Sequence, residues 1–282
     1  MNTLIEQEIE FPLVSVLIPT YNGEEYVAEA LFSVIKQTYP NMEIVITDDA
    51  SQDNTINTIK RFKDEHDYQD QIKLILNTKN QGIPKNMNRW LEECSGKYVS
   101  ILDQDDEWTS LEKIEEQVKF LEQNKSYGII GTQRNIFYKG KNITSLLPQN
   151  DDEIRRLIIK TCPFQHSTVM YNKTIAEDIG GYDPSYSYAM DLDFFYKMLN
   201  QCKGSNLDIY STIYRLHGNS TSLQFNTKQQ REALAIRYKY KETYPLNYGY
   251  SGMQIIHGIL SQYRWDNTYY QRLKNYIKNK AL

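Results

Sequence analysis

The chain has 282 residues, 40% of them hydrophobic and 24% charged, with a formal net charge of −4. That is enough for one large α/β domain, alone or with a small appendage, and the negative balance argues against a general nucleic-acid binder. No apolar run nears the roughly 18 residues of a bilayer span, the amino terminus lacks the basic and apolar regions of a secretory signal, and three scattered cysteines (Cys94, Cys162, Cys202) suit neither a disulfide framework nor a zinc site. A reducing, cytoplasmic setting is therefore expected.

After an acidic leader over residues 1–12, Val14 to Ile18 predicts a buried strand that ends at Pro19-Thr20-Tyr21-Asn22-Gly23, and Val27, Leu31 and Val34 then fall at helical spacing. Glu43 to Thr47 predicts a second strand. The polar loop 48–55 follows it, and a helix begins at Ile56, with Asp53 or Thr55 available to cap it. Ile72 to Leu76 is the third strand, and a helix starting near Pro84 turns Met87, Leu91 and Cys94 inward. Tyr98 to Leu102 is the fourth strand, and Leu111, Ile114, Val118 and Leu121 mark the helix after it. Four strand-helix units in a row indicate a parallel sheet with right-handed crossovers.

Regularity fades beyond residue 128. Gly128 to Gly131 predicts a short strand, Asn135 to Leu147 a hairpin or loop, and Asp151 to Lys160 a helix. Ser167 to Tyr171 alternates like a strand, Gly180 to Pro184 is a turn, Asp191 to Asn200 is a helix with Leu192, Phe195 and Leu199 inward, and Asp208 to Leu216 is a strand. From Asn226 onward ten Lys or Arg face three Asp or Glu, and nine of the 23 tyrosines lie there too. Such a basic, aromatic appendage suits either a small helical subdomain or an anionic lipid surface.

Three strand ends carry polar clusters: Thr20-Tyr21-Asn22, Asp48-Asp49, and Asp103-Gln104-Asp105-Asp106. In a parallel sheet all three point to one rim, where such folds bind ligands. Carboxylates so close together repel one another, and a hard cation such as Mg²⁺ or Mn²⁺ offsets that cost. No Gly-rich phosphate loop is present, so a nucleotide at this rim would be held by carboxylates and metal.

Eight motifs in order carry a resemblance. They are V-S-V-L-I-P-T-Y-N-G (14–23), D-D-A-S-Q-D-N-T (48–55), N-Q-G with Asn88, G-K-Y-V-S-I-L-D-Q-D-D-E-W (96–108), H-S-T-V-M (166–170), G-G-Y-D (180–183), M-D-L-D-F-F (190–195) and Y-R-L-H-G-N-S-T-S (214–222). Together they resemble family 2 of the GT-A glycosyltransferases, inverting enzymes that use nucleotide sugars. The resemblance implies a GT-A catalytic domain over 13–222, a Rossmann-like, mostly parallel sheet flanked by helices, followed by a helical extension over 223–282.

It also implies roles. Pro19, Thr20 and Tyr21 would line the base pocket and Asp49 would accept from the nucleobase, typically uracil N3. Asn22 and Asn88 lie in matched motifs and are carried over as nucleotide contacts. Asp103 would lie near the ribose, Asp105 would bind a Mn²⁺ or Mg²⁺ ion that bridges the diphosphate, His217 would lie beside that metal, and Arg215 would be a further cation. Asp191 matches the general base, with Asp193 as a second candidate and His166 as a candidate acceptor contact. Met190 and Met87 depart from the Glu and Arg common at their positions. The expected partners are a nucleotide-sugar donor, a UDP-sugar by the resemblance, and a glycan or lipid-linked acceptor at the inner face of the plasma membrane. A non-catalytic nucleotide sensor on the same fold is the alternative, while P-T-Y-N-G lacks the glycines and basic residues of a nucleotidyltransferase loop.

Overall fold

The computed structural model describes residues 11–244 apart from 69–70, 219, 221–223 and 225. The leader up to residue 10 and the basic, tyrosine-rich tail from 245 onward lie outside the described residues. The fold is built on one nine-stranded sheet in the order β3-β2-β1-β4-β8-β6-β9-β5, with β7 paired to the outer part of β6. β1 (Val14–Thr20), β2 (Met42–Asp48), β3 (Ile72–Leu76) and β4 (Tyr98–Ile101) are mutually parallel. α1 (Val27–Ile35), α2 (Thr55–His66) and α3 (Ile83–Glu93) connect them. α2 starts where Asp53 Oδ1 accepts the Thr55 backbone N–H at 3.0 Å.

The sheet is covered on both faces, as crossover helices require. Val14, Val16 and Ile18 of β1 pack with α1, α2 and α4 (Lys113–Gln123), whereas Leu17 packs on the other face with α3 and α7 (Met190–Gln201). Ile44 and Ile46 against Val45 repeat that division on β2, so these near-continuous apolar strands serve two cores. Leu111 departs from expectation. It precedes α4 and is 46% exposed.

The second half differs more. β6 runs from Tyr127 to Tyr138, far past Gly131, and forms a hairpin with β7 (Lys141–Ser145). It also pairs in parallel with β9 (Lys203–Leu216), with register shifts between Thr132 and Arg134 that bend the ribbon. The predicted strand at Ser167 is instead a 3₁₀ turn, His166–Thr168, leading into β8 (Met170–Asn172). A two-residue β5, Glu107–Trp108, closes antiparallel on β9 directly after the acidic loop.

α5 (Asp151–Leu157) and α6 (Lys173–Asp178) precede α7, and α8 (Asn226–Lys239) lies across it. The described part of the extension is therefore joined to the core. Tyr240 stacks on Tyr196 with centroids 4.7 Å apart, and Ala233, Ile236 and Tyr244 are buried with α7. Among the described residues no helix is long and apolar enough to cross a membrane.

Candidate active site

The three strand-end clusters meet at one rim, tied together by their own polar groups. Thr20 Oγ1 donates to Asp48 Oδ2 at 3.0 Å, and Asp48 Oδ1 accepts the Ser51 N–H at 2.8 Å. Asn22 adopts φ +49°, takes the Gln52 N–H on its Oδ1 at 2.8 Å, and donates its own N–H to Ser51 Oγ at 2.9 Å. Its amide is thus occupied in joining the first two loops. The Tyr21 ring is 45% exposed beside half-buried Pro19, a surface on which a base can stack.

Asp49 is buried and accepts from Asn77 Nδ2 (2.8 Å) and from the N–H groups of Gln81 (2.9 Å) and Gly82 (2.9 Å). A carboxylate offers about four lone-pair positions, so one remains for a ligand N–H. Asn77 in turn accepts from the Arg89 guanidinium. Arg89 thus brings a cation to this side of the rim, where Met87 is buried in the core.

Gln104 spans the gap between β1 and β4. It accepts the Tyr21 N–H and donates to the Tyr21 carbonyl, both at 3.0 Å, and it lies over Gly23 where a Cβ would collide with its amide. Its neighbours on either side are the paired carboxylates. Asp103 faces His166 Nδ1 at 3.0 Å and accepts from Ser167 Oγ at 3.1 Å. Burial works against its ionisation, but the His166 charge and these hydrogen bonds outweigh it and hold the carboxyl below the usual range. Asp105 faces His217 Nε2 at 2.9 Å, and this hydrogen bond holds the His217 imidazole above its ordinary pKa against partial burial.

Asp106 has the opposite environment. It is fully buried, bonded to Ser167 Oγ and to the Arg215 N–H (2.9 Å). Burial and then the charges of Asp105 and Asp103 push its carboxyl well above the usual range, so it braces the loop rather than facing a ligand. Beneath the loop, the enclosed Lys113 ammonium donates to Gln117 Oε1 (2.8 Å) and Ser100 Oγ (3.1 Å) and sits 4.0 Å over the Trp108 ring. Trp108 therefore packs under the loop. Arg215 bonds Glu107 at 2.6 Å and Glu29 at 2.7 Å, and His217 packs on the Tyr26 ring at 5.0 Å.

Asp105 and His217 suit a divalent cation. They supply one carboxylate and one imidazole, each about a quarter exposed, and ions of this class take one or two protein carboxylates with the rest of the shell from phosphate and water. Among the described residues no three His, Cys, Asp or Glu side chains form a cage for a metal.

Asp191 lies in the first turn of α7, whose N-cap position is Ala189, so it is not the cap. Its Oδ1 accepts the Leu192 N–H at 2.8 Å, and Cys162 Sγ donates toward its Oδ2 at 3.9 Å. Burial raises its pKa, as does Asp103, against the opposing pull of His166 and the Leu192 N–H. His166 joins the two sides. It is buried, meets Asp103 through Nδ1 and Tyr182 Oη through Nε2 (3.2 Å), and is held above its ordinary pKa, against burial, by Asp103. This placement makes it a brace within the wall.

Two expected site residues face elsewhere. Asp193 is two residues from Asp191, about 200° around the helix, and points the other way. It is fully buried and bonded to Lys239 Nζ (2.9 Å) and Tyr240 Oη (3.0 Å), which fastens α8 to α7 and removes it from the role of second base. Both polar atoms of Asn88 bond the Tyr182 backbone at 2.7 Å, so that amide secures the 180–183 turn instead of facing a nucleotide.

The sequence model described as Glycosyl transferase family 2 matches residues 15–180. The chain belongs to glycosyltransferase family 2. EpsE of Bacillus subtilis (strain 168) is 33% identical over 175 residues, which is 61% of this chain and 60% of EpsE, so the match spans less than two thirds of that relative. The relative named UDP-Glc:alpha-D-GlcNAc-diphosphoundecaprenol beta-1,3-glucosyltransferase WfaP, from Escherichia coli, is 30% identical over 212 residues, 74% of this chain and 80% of WfaP.

Solved structures share the GT-A-like fold. S. aureus TarS 1-349 in complex with UDP has a TM-score of 0.64 at 20% identity, covering 90% of this chain and 73% of that one. The mannosyltransferase PcManGT from Pyrobaculum calidifontis, in complex with GDP-Man and Mn²⁺, has a TM-score of 0.65 at 16% identity, covering 97% of this chain and 81% of that one.

Residues that sequence reasoning missed are the braces: Gln104, Ser167, Asn77, Arg89 and Tyr182. Gln104 carried a local signal, since it stands between two paired carboxylates where a polar side chain at a strand end can bridge to the next strand.

Proposed function

We propose that this family 2 glycosyltransferase moves one sugar, with inversion, from a UDP-sugar to a hydroxyl of a glycan or lipid-linked acceptor in surface polysaccharide synthesis. The observation that carries the proposal is the division of carboxyl groups across His166. Asp103 is held ionised on one side, and Asp191 is held with raised proton affinity on the other. Carboxyl groups whose environments separate their pKa values are how a single site divides charge stabilisation from proton transfer.

In this reading Tyr21 and Pro19 support the base with Thr20 behind them, and Asp49 uses its remaining lone pair on the base N–H. Asn22 and Asn88 act at one remove, by fixing the loops. Asp103 meets the ribose. Asp105 and His217 would hold Mn²⁺ or Mg²⁺, an ion that would supply positive charge against the diphosphate. Arg215 acts at one remove, its guanidinium occupied by Glu29 and Glu107 and its N–H by Asp106, so it fixes the loop instead of meeting the diphosphate as a free cation.

Asp191 accepts the proton of the acceptor hydroxyl as its oxygen attacks the anomeric carbon from the face opposite the diphosphate. The bond between that carbon and the diphosphate oxygen breaks, and its electron pair stays on UDP. The raised pKa of Asp191 suits it to receive this proton. The relative WfaP supports the choice of UDP and of a lipid-linked acceptor by its name.

The test is a thermal-unfolding panel of nucleoside diphosphates and UDP-sugars with and without Mn²⁺, since a ligand bound only by the folded state stabilises it by mass action. UDP with Mn²⁺ should raise the midpoint. A flat response to every nucleoside diphosphate would sink the proposal, and binding without slow UDP-sugar hydrolysis would favour a sensor. We also propose a peripheral position at the inner face of the plasma membrane. The full chain should pellet with anionic vesicles and not with zwitterionic ones.

A further inference from the structure

Among the described residues Arg134 forms no ion pair with a carboxylate. Its Nε is enclosed and has no hydrogen-bond acceptor, and its contact within the described residues is the Tyr214 ring, 5.9 Å from the guanidinium carbon. Arg155 and Arg215, by contrast, are paired with carboxylates. An enclosed guanidinium nitrogen is costly when the carboxyl within its electrostatic reach, Asp106, is itself pushed toward its neutral form. Arg is also the side chain best shaped to take phosphoryl oxygens in pairs.

The strand geometry shows which side Arg134 serves. Residues 134 and 136 of β6 pair with 212 and 214 of β9, so Arg134, Ile136 and Tyr214 share a face. Arg215 turns to the opposite face, toward Glu29 and Glu107 beside the acidic loop. Arg134 instead stands within electrostatic reach of Cys162, whose thiol contacts Asp191, and of the buried Asp106 carboxyl. The guanidinium thus reaches toward the general-base side of the sheet through Cys162, and toward the buried brace of the acidic loop through Asp106.

Outward from Arg134 the same face turns apolar. Ile136 pairs with Ile143, which is 48% exposed, and Tyr138 pairs with Lys141 at the hairpin tip beside Lys139. An anion site followed by an apolar ladder and a basic tip is the profile of an amphiphile with a phosphorylated head.

We propose that this face of β6 and β7 binds the lipid-linked acceptor, with Arg134 on its phosphate and Ile136, Tyr138 and Ile143 along its hydrocarbon. The inference rests on the transfer reading above and deepens it. The phosphoryl group could in principle belong to the sugar donor or to the acceptor, and the test separates them.

Isothermal titration of the full chain, saturated with UDP and Mn²⁺, uses octyl phosphate below its micelle concentration, with octyl glucoside as the uncharged control. Octyl phosphate should bind the wild type and bind Arg134→Gln about 10- to 100-fold more weakly, the loss of a charge-assisted hydrogen-bonded pair. Ile143→Ser should weaken octyl phosphate and leave inorganic phosphate unchanged. The UDP dissociation constant should stay within about twofold in Arg134→Gln, which also shows that the variant is folded.

Equal octyl phosphate binding by Arg134→Gln, no binding by the UDP-loaded wild type, or equal binding of octyl glucoside would each overturn the inference alone. A parallel loss of UDP affinity in Arg134→Gln would assign the guanidinium to the sugar donor and also overturn it. Failure of the wild type to bind UDP would remove the transfer reading and this inference together.

Discussion

Glu232→Ala probes how the position of Asp191 is set. The Glu232 carboxylate, carried on α8, accepts the N–H groups of Ser187 (3.1 Å), Tyr188 (2.7 Å) and Ala189 (2.9 Å), the residues that lead into α7. It acts as a cap supplied from another helix, so the first turn that bears Asp191 depends on a residue more than forty positions later. Three hydrogen bonds to an ionised acceptor are lost in the alanine variant. Water replaces those at exposed Ser187 more easily than the one at buried Ala189. We expect a loss of about 2–3 kcal/mol, or about 4–10 °C in the unfolding midpoint. A displacement of Asp191 by ~1 Å would lower kcat by up to about 10²-fold. The assay pairs thermal unfolding with sugar transfer and UDP titration. A lower midpoint with kcat within about twofold of wild type would refute the reasoning, because Glu232 would then hold the fold without holding Asp191.

Asp191→Asn should keep UDP affinity and lower transfer by about 10²–10⁴-fold, the range of a general base; lost UDP binding would assign the residue to the sugar donor or the fold. Asp105→Ala should abolish the Mn²⁺-dependent part of the UDP-induced thermal shift, and an undiminished Mn²⁺ effect would remove Asp105 from the metal site. Glu122 receives hydrogen bonds from Lys125 (2.5 Å), Lys97 (2.5 Å) and Tyr98 (2.7 Å), which outweigh its partial burial and pull its carboxyl down to about 2. Because the folded value lies below the ordinary one of about 4.3, its contribution is complete above that pH and lost as pH falls toward 2. Glu122→Gln should therefore be slightly less stable than wild type at pH 6, by about 1 kcal/mol or less for so exposed a group, and equal to it near pH 2. A difference that persists unchanged to pH 2 would refute the charge argument.

The sugar-donor half was legible because its strands are apolar runs of the right length, each ending in a polar cluster. The parallel sheet then brings Asp49, Asp103 and Asp105 to one rim with no further information. The acceptor half was less so. Residues 133–135 of β6 are Gln, Arg and Asn, half buried at best beyond Gln133, so no apolar pattern marked the strand past Gly131. Ser167 to Tyr171 alternates like a strand, yet Ser167 and Thr168 are buried polar groups spent on Asp106 and on a local carbonyl, which favours a 3₁₀ turn. Asp193 drew attention by resemblance to Asp191, although the helical angle between them already placed it on another face. β5 is two residues long and exists through a partner a hundred positions away, which no local pattern can reveal.

The acidic loop 103–106 is held by His166, Ser167, Arg215 and His217, all far later in the chain. During synthesis the first four strands emerge before the rest of the sheet, and β1, β2 and β3 can pair early, since each meets its neighbour across about thirty residues. Asp103 would gain His166 and Ser167 first, whereas Asp105 and Asp106 would wait for His217 and Arg215 until β9 has left the ribosome. Completion of the Asp105–His217 pair should accordingly be among the last steps of folding, and a ribosome-tethered chain halted before residue 203 would hold a partly formed sheet with that pair missing.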